Sequence, residues 1–95
     1  MKIIWSDTAK QDYWQNIDYI LREWDEQVAI DFLEAVDNTT RLIADTPKIG
    51  VKTDYKGIRK IFVTKQISLF YRGNKKTIEL IRFWNNYRNP ESLKL

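Results

Sequence analysis

The 95-residue sequence contains no cysteine and no histidine. The absence of these residues excludes disulfides, zinc-finger ligand sets, cysteine nucleophiles and imidazole bases. Any chemistry must therefore depend on arginine, lysine, tyrosine, asparagine or carboxylate side chains, and we expect neither a metal nor a cofactor.

Long hydrophobic runs are also absent, since no uninterrupted run of apolar residues exceeds three. A membrane-spanning helix needs about 20 predominantly apolar residues, and a signal peptide needs an apolar core of about 7 to 15. The sequence thus predicts no association with a membrane and a cytoplasmic location. Because a chain this short supports one hydrophobic core, we expect a single domain over residues 1–95.

Charge is divided unequally along the chain, although the net charge is only +3. Residues 1–47 contain 4 Lys and Arg against 10 Asp and Glu, which gives a net charge of −6. Residues 48–95 contain 12 Lys and Arg against 3 Asp and Glu, which gives +9. The basic half suits phosphate or an acidic protein partner, although acidic helices and basic strands could also serve solubility alone.

Helical spacing of apolar residues dominates the first half of the chain. Lys2 to Trp5 is a short β-branched run that predicts a strand, and Ser6 then provides an N-cap for a helix over about residues 7–23. Asp25 is a second N-cap candidate, and the apolar stripe after it continues until Pro47. The two helices should form an antiparallel hairpin with an acidic solvent face. The predicted acidic face consists of Asp12, Asp18, Glu23, Glu26, Asp31, Glu34 and Asp37.

The second half of the chain is typical of extended structure. Residues 47–50 end the helix, and residues 51–57 indicate a lysine-rich loop. Runs of β-branched and aromatic residues at 58–63, 67–72 and 77–84 predict two consecutive hairpins. Both faces of these strands mix apolar and cationic residues, so a partner or the chain's own tail should cover part of the sheet. The predicted fold is α+β, with a short N-terminal strand and an antiparallel helical hairpin packed on a three- to four-stranded antiparallel sheet.

The segment from Arg82 to Pro90 concentrates guanidinium, amide, phenol and indole groups. Arginines can bind phosphates bidentately and stabilise developing negative charge, while Trp84 and Tyr87 can stack on bases. Cleavage by a ribose 2′-hydroxyl needs only proton transfer and charge stabilisation, for which a tyrosine or lysine of lowered pKa would suffice. The segment could therefore bind RNA or cut it. The candidate catalytic residues are Arg59, Arg82, Tyr87 and Arg88.

A second set of residues could bind RNA or a protein partner. It consists of Lys52, Lys56, Lys60, Arg72, Trp84 and Asn86. Structural roles compete with functional ones here. Arg59 could tie the loop to an acidic helix residue, Trp84 could complete a small core, and Asn86 could do no more than form a turn.

Several short sequence patterns follow one another in a definite order along the chain. In the helical half they are Ile4-Trp5-Ser6, Ala9, Asp12, Ile17, Tyr19-Ile20, Ala29 and Phe32. Farther along the chain they are Leu42, Pro47, Ile49-Gly50, Gly57-Ile58-Arg59, Val63, Leu69, Tyr71, Ile78, Leu80-Ile81 and Arg88. Together they resemble the RelE/ParE superfamily of bacterial toxins from type II toxin–antitoxin modules, over nearly the whole chain.

The resemblance implies a toxin that is neutralised by an antitoxin, whose extended or helical C-terminal segment wraps over it. RelE-like members are ribosome-dependent mRNA endonucleases that act without a metal, whereas ParE-like members bind DNA gyrase and have no known catalytic set. By position, Arg59 matches the family's strand arginine and Arg82 lies where a catalytic arginine can occur on the last strand. Tyr87 and Arg88 fall among the terminal functional residues. The missing histidine separates this chain from nuclease branches that use imidazole.

Three functions therefore remain open at the level of sequence. Ribosome-dependent mRNA cleavage that blocks translation comes first, inhibition of gyrase second, and a binding module without killing activity third. The partners would be the ribosome and mRNA, or gyrase. In each case the charge division predicts an antitoxin segment that is acidic with a few apolar anchors.

Overall fold

Two helices and a five-stranded sheet form the fold, in a computed structural model that describes residues 1–95. In chain order, the elements are β1 (Lys2–Trp5), α1 (Asp7–Glu23), α2 (Glu26–Asp45), β2 (Val51–Lys52), β3 (Ile58–Phe62), β4 (Ile67–Gly73), β5 (Thr77–Asn85) and a short 3-10 turn (Pro90–Ser92). The strands lie in the order β1-β5-β4-β3-β2. Neither helix is long and apolar enough to cross a membrane.

Both helices begin at the caps that the sequence predicts. The Ser6 hydroxyl oxygen accepts a hydrogen bond from the N–H of Ala9 at 3.0 Å, and Asp25 Oδ1 accepts one from Val28 at 3.0 Å. These bonds satisfy N–H groups that a first helical turn leaves unpaired. The Ser6 hydroxyl also donates to the carbonyl of Ile81 at 2.8 Å, which fixes the start of α1 against β5.

The sheet differs from the predicted one in two respects. It has five strands, because Val51 and Lys52, expected in a loop, pair with β3 as a short edge strand. It is also mixed, because β1 runs parallel to β5, with Ile3 opposite Ile78. The helical hairpin and three strands separate β1 from β5, so no tight turn dictates an antiparallel direction. The β3–β4 and β4–β5 pairings are antiparallel, as the two predicted hairpins require, and the added β2–β3 pairing is antiparallel as well.

The helices cover one face of the sheet, called the inner face, and the main core lies between the helices and this face. Alternate residues of β4 point into this core, as the two-residue period of a strand requires. In β5 the alternation shifts by one residue between Leu80 and Phe83. The core consists of Ala9, Ile17, Phe32, Val36, Ile43, Ile67, Leu69, Tyr71, Ile78, Leu80 and Phe83.

The opposite face of the sheet, called the outer face, carries a second and smaller apolar cluster. Ile58, Phe70 and Trp84 form it, one from each of β3, β4 and β5. Leu93 and Leu95 of the C-terminal tail pack against these residues. The tail of the chain therefore covers this part of the outer face, which is one of the two arrangements that the mixed strands predict.

A buried tyrosine holds the segment that leads from α2 into the sheet. The Tyr71 hydroxyl donates to the carbonyl of Pro47 at 2.8 Å and accepts from the N–H of Gly50 at 2.9 Å. A Cβ atom at Gly50 would lie 2.7 Å from that hydroxyl oxygen, so the close approach requires glycine.

Candidate functional site

A β-bulge in β5 sets the direction of Arg82. Tyr71 of β4 pairs with Leu80, whereas the adjacent Phe70 pairs with Arg82, so Ile81 is an extra residue without a partner opposite it. A bulge of this kind redirects the side chains beside it. β1 pairs with one edge of β5, but only as far as Leu80. Beyond Leu80 this edge of β5 has no neighbouring strand and is open to α1.

Asp12 of α1 occupies this open edge. Its Oδ2 accepts from Arg82 Nε at 3.0 Å and from the backbone N–H of Phe83 at 3.1 Å, and its Oδ1 accepts from Arg82 Nη2 at 2.9 Å. The Arg82 and Asp12 side chains are only 15% and 8% exposed. The hydrogen bonds that Arg82 donates to the Asp12 carboxylate raise the pKa of Arg82, an effect that burial opposes. The ion pair therefore joins α1 to β5. The Asp12 carboxylate occupies the edge of the Arg82 guanidinium, formed by Nε and Nη2, through which an arginine can bind an anion bidentately.

The burial of Asp12 corrects the prediction that it belongs to the acidic solvent face. Asp12 lies three residues after the buried Ala9, which places both on the same side of α1, and Asp12 is itself buried. Carboxylates are rarely buried unless they are paired, and this rule was the signal that could have identified an arginine partner. The other six residues of the predicted acidic face are exposed: Asp18, Glu23, Glu26, Asp31, Glu34 and Asp37.

Two arginines flank the indole ring of Trp84. The Arg82 and Arg88 guanidinium carbons lie 5.3 Å and 4.6 Å from its ring centroid, within the range of cation–π attraction. Trp84 itself is buried in the outer cluster, so it has the core role that competed with base stacking in the sequence analysis. Arg88 is exposed and forms no salt bridge, so its hydrogen-bond donors remain available to a ligand.

The segment between Trp84 and Arg88 is anchored through its asparagines. Asn86 Oδ1 accepts from the hydroxyl of Ser68 at 2.6 Å, and its Nδ2 donates to the carbonyl of Lys65 at 3.2 Å. Asn85 Oδ1 accepts from the N–H of Tyr87 at 2.9 Å, which closes a turn. The Tyr87 side chain then projects into solvent, with 76% of its surface exposed.

Arg59 lies on the inner face of the sheet, on the opposite side from Arg82 and Trp84. It pairs across the ladder with Tyr71 of the inner core, whereas Arg82 pairs with Phe70 of the outer cluster. Arg59 Nη1 donates to the carbonyl of Gly50 at 2.7 Å and to that of Lys48 at 3.2 Å. Arg59 thus ties down the loop, although through backbone carbonyls rather than through an acidic helix residue.

The predicted binding lysines are dispersed. Lys52 and Lys56 line a small cleft with Arg59 around Gly57, which has a φ of +78° that favours glycine. Lys60 instead lies on the outer face, with its ammonium 4.9 Å from the ring centroid of Phe62. Arg72 approaches Glu79 at 3.8 Å, at the exposed surface. No group of three or more carboxylates lies close enough together to hold a metal ion.

The structure also contains an apolar cavity that the sequence analysis did not identify. It has a volume of about 370 Å³ and lies between the helical hairpin and the turn that joins β3 to β4. Its apolar wall combines residues of the helical hairpin with a residue of β4 that is more than thirty positions away in sequence, so no local motif indicates the whole cavity. This cavity is called the hairpin groove, and its apolar wall consists of Tyr19, Ile20, Trp24, Val28, Phe32 and Ile67.

The sequence also matches a known protein family. Residues 3–90 match the family described as the ParE toxin of the type II toxin–antitoxin system parDE. Because this match spans most of the chain, the protein belongs to the ParE toxin family. It is therefore the toxin component of a type II toxin–antitoxin system with a cognate antitoxin as its partner, and the resemblance to the RelE/ParE superfamily is confirmed. No individual curated protein matches the sequence significantly.

Solved structures of bacterial toxins share the fold. A chain of the chromosomal ParDE system from P. aeruginosa is 16% identical with a TM-score of 0.75, over 90% of this chain and 95% of that one. The YoeB/ParE toxin from Agrobacterium tumefaciens is 21% identical with a TM-score of 0.64, over 92% and 100%. A heterotetrameric YoeB-YefM toxin–antitoxin complex from Staphylococcus aureus contains a chain that is 14% identical with a TM-score of 0.64, over 92% and 98%. The predicted α+β fold is thus confirmed.

Proposed function

We propose that this toxin acts by binding and inhibiting a protein target, and that the target is DNA gyrase, as the ParE-like resemblance implies. One observation carries the proposal. Arg82 is the only arginine of β5, and Asp12 engages its bidentate edge at 2.9 Å and 3.0 Å. A catalytic guanidinium must be free to meet the charge that develops in the transition state. Because Asp12 already binds its guanidinium, Arg82 is better suited to stabilising the fold than to stabilising a phosphorane transition state.

The separation of Arg59 from Arg82 supports the same proposal. Metal-independent cleavage of RNA needs a proton acceptor and at least one cation around a single phosphate. Arg59 is on the inner face and is bonded to the carbonyls of Lys48 and Gly50, so it does not join Arg82 and Arg88 around one point. Of the four predicted catalytic residues, Tyr87 and Arg88 keep exposed and unpaired side chains, and we assign both to binding of the target.

The remaining predicted residues have supporting or peripheral roles in this proposal. Trp84 orients Arg88 by stacking, and Asn86 anchors the segment that carries Tyr87. Lys52, Lys56 and Arg72 are exposed and Lys60 is partly exposed. These four cations of the sheet half would steer an acidic surface toward the toxin without contributing to chemistry.

Ribosome-dependent cleavage of mRNA is the second candidate function, and one observation favours it. Arg88 is exposed and stacked on Trp84 at 4.6 Å, and the phenol of the adjacent Tyr87 is open to solvent. In that function Arg88 would bind the scissile phosphate and Tyr87 would take the proton of the attacking 2′-hydroxyl.

Pulse labelling after induction of the toxin distinguishes the two functions. Inhibition of gyrase should stop DNA synthesis while messages stay intact, and the purified toxin should inhibit supercoiling by gyrase. Arg88→Ala should weaken that inhibition, whereas Lys76→Ala, in the exposed turn between β4 and β5, should leave it unchanged. Early loss of translation with cleaved messages, together with normal supercoiling, would instead establish the nuclease function.

A further inference from the structure

A large cavity lies at the end of the sheet where β4 turns into β5. It has a volume of about 670 Å³ and is bounded by the C-terminal end of α2, by the start of β3 and by the β4–β5 turn. Lys48, Arg59 and Lys75 contribute cations to its wall, and Asp45 is the one carboxylate there. This cavity is called the basic cavity. Its volume suits a small ligand, since ligand pockets usually measure about 300 to 1,000 Å³.

The basic cavity adjoins the small cleft that Lys52 and Lys56 line, because Gly57 and Arg59 belong to the walls of both. The two walls together carry five cationic side chains, and none of the five forms a salt bridge. Lys52 also lies directly opposite Arg59 in the β2–β3 ladder, and like charges in that arrangement are destabilising. A bound anion would remove this repulsion, so the surplus of cations indicates an anion site.

The Arg59 guanidinium is held in place but keeps donors for a ligand. Its Nη1 donates to the carbonyls of Gly50 at 2.7 Å and Lys48 at 3.2 Å, whereas its Nε and Nη2 form no hydrogen bond within the chain. The corresponding edge of Arg82 is bound by Asp12. An arginine that is oriented through Nη1 and keeps Nε and Nη2 available is suited to bidentate binding of a phosphate.

The distribution of the cations favours several phosphates over one. Lys48 follows the end of α2, Arg59 belongs to β3 and Lys75 lies in the β4–β5 turn, so the three charges come from three different walls. A single phosphate on Arg59 would leave the lysines of the other walls without a counter-charge. A chain of two or three phosphates is longer and can place a negative charge near each wall.

From these features we propose that the basic cavity binds a short phosphate chain, as carried by a nucleoside diphosphate or triphosphate or by inorganic tripolyphosphate. Arg59 binds one phosphate bidentately, and Lys48 and Lys75 neutralise the others. In a nucleotide, the base extends into the adjoining cleft, where Tyr55 offers an aromatic ring for stacking and is 44% exposed. The proposal goes beyond the proposed function, because it uses no residue assigned to binding of the target.

The surroundings of the basic cavity favour a small phosphate ligand over a nucleic acid. Asp45 lies in the wall, and α2, which ends there, also exposes Glu34 and Asp37. A nucleic acid carries a phosphate at every nucleotide and would be repelled along this acidic helix. A short phosphate chain meets only the wall of the cavity, where three cationic side chains face one carboxylate.

Matched variants test the proposal on the full-length toxin, made without the antitoxin by cell-free synthesis. Lys75→Gln removes a cation of the cavity, and its control is Lys76→Gln, at the next residue of the same exposed turn but outside the cavity. Arg59→Lys keeps the charge and removes the bidentate edge. Because Arg59 also ties down the loop, Lys75→Gln keeps the test decisive if Arg59→Lys fails to fold. The probes are ATP, inorganic tripolyphosphate and inorganic phosphate, and calorimetry measures the Kd of each without a divalent cation.

We expect the wild type to bind tripolyphosphate with a Kd at least about tenfold lower than that for inorganic phosphate. Lys75→Gln and Arg59→Lys should each raise the Kd for tripolyphosphate by about threefold or more, and Lys76→Gln should stay within about twofold of the wild type. A lower Kd for ATP than for tripolyphosphate would support the proposal with a nucleotide as the ligand. Equal Kd values would support it with the phosphate chain alone as the recognised group.

Equal losses of binding in Lys75→Gln and Lys76→Gln would overturn the proposal, because they would show a diffuse attraction to a basic surface. The absence of saturable binding of ATP and tripolyphosphate up to about 1 mM would overturn it too. So would binding of a single-stranded DNA that weakens in the cavity variants while neither short phosphate chain binds. The assay contains no gyrase, so a failure to inhibit supercoiling would refute the proposed function without altering this result.

Discussion

Removal of the Asp12 carboxylate should destabilise the toxin more than removal of any exposed acidic residue. Asp12→Ala deletes two hydrogen bonds to Arg82 and one to the N–H of Phe83. Breaking a buried ion pair by removing one partner costs about 3 to 5 kcal/mol, because a charge is left uncompensated. The Arg82 side chain is 15% exposed and can swing toward solvent, so we expect the lower end of that range, about 3 kcal/mol.

The expected loss is large for a domain of this size. Native domains are stable by only about 5 to 15 kcal/mol, and 1 kcal/mol lowers the Tm by about 4 to 8 °C in small domains. Asp12→Ala should therefore lower the Tm by about 12 to 24 °C. Asp12→Asn keeps one oxygen for the Phe83 N–H but loses the charge pair, so it should cost less, about 2 kcal/mol. Urea unfolding followed by tryptophan fluorescence measures the loss in free energy of unfolding for both variants.

Asp18→Ala is the matched control, because Asp18 lies on the exposed side of the same helix and forms no salt bridge. It should change the free energy of unfolding by less than about 0.5 kcal/mol. In the double variant Asp12→Ala/Arg82→Met no buried charge is left, so the cost should fall below the sum of the two single costs. A cost below about 1 kcal/mol for Asp12→Ala would refute the assignment of Arg82 to the fold and would return Arg82 to the candidate catalytic residues.

Three further predictions concern the packing of the chain. Gly50→Ala should cost about 1 to 3 kcal/mol in urea unfolding, because the added Cβ would lie 2.7 Å from the Tyr71 hydroxyl, and Tyr71→Phe should relieve part of this clash in the double variant. Burial raises the pKa of Tyr13 above its ordinary value near 10; its ionisation therefore opposes folding, and stability should fall as the pH rises through that raised pKa. In Tyr13→Phe, the absorbance titration at alkaline pH should lose a step that lies above the ordinary pKa of tyrosine, and an unchanged titration would contradict the raised pKa of Tyr13. Leu93→Ser/Leu95→Ser should uncover the outer cluster and increase binding of an apolar dye, whereas unaltered dye binding would mean that the tail does not cover it.

The helices and their ends could be predicted because the information is local. Ser6 and Asp25 are capping residues whose bonds reach only three positions along the chain, to Ala9 and Val28. The parallel pairing of β1 could not be predicted in this way, since its partner lies more than seventy residues away. The partner of Asp12 depends on the same long-range placement, so Asp12 was predicted on the solvent face of α1 although it is buried against Arg82.

The site was harder to predict than the fold because a single bulge changes which cations share a face. Ile78 and Leu80 point to the inner core, so an unbroken two-residue alternation would place Arg82 on the inner face, where Arg59 lies. The extra residue Ile81 moves Arg82 to the outer face instead. Arginines that look like one set in the sequence are thereby divided: one ties down the loop, and the other joins the sheet to α1. Arg88 lies beyond the strand, so its side chain does not depend on this alternation, and it keeps a free guanidinium, which is why we assign it to binding of the target.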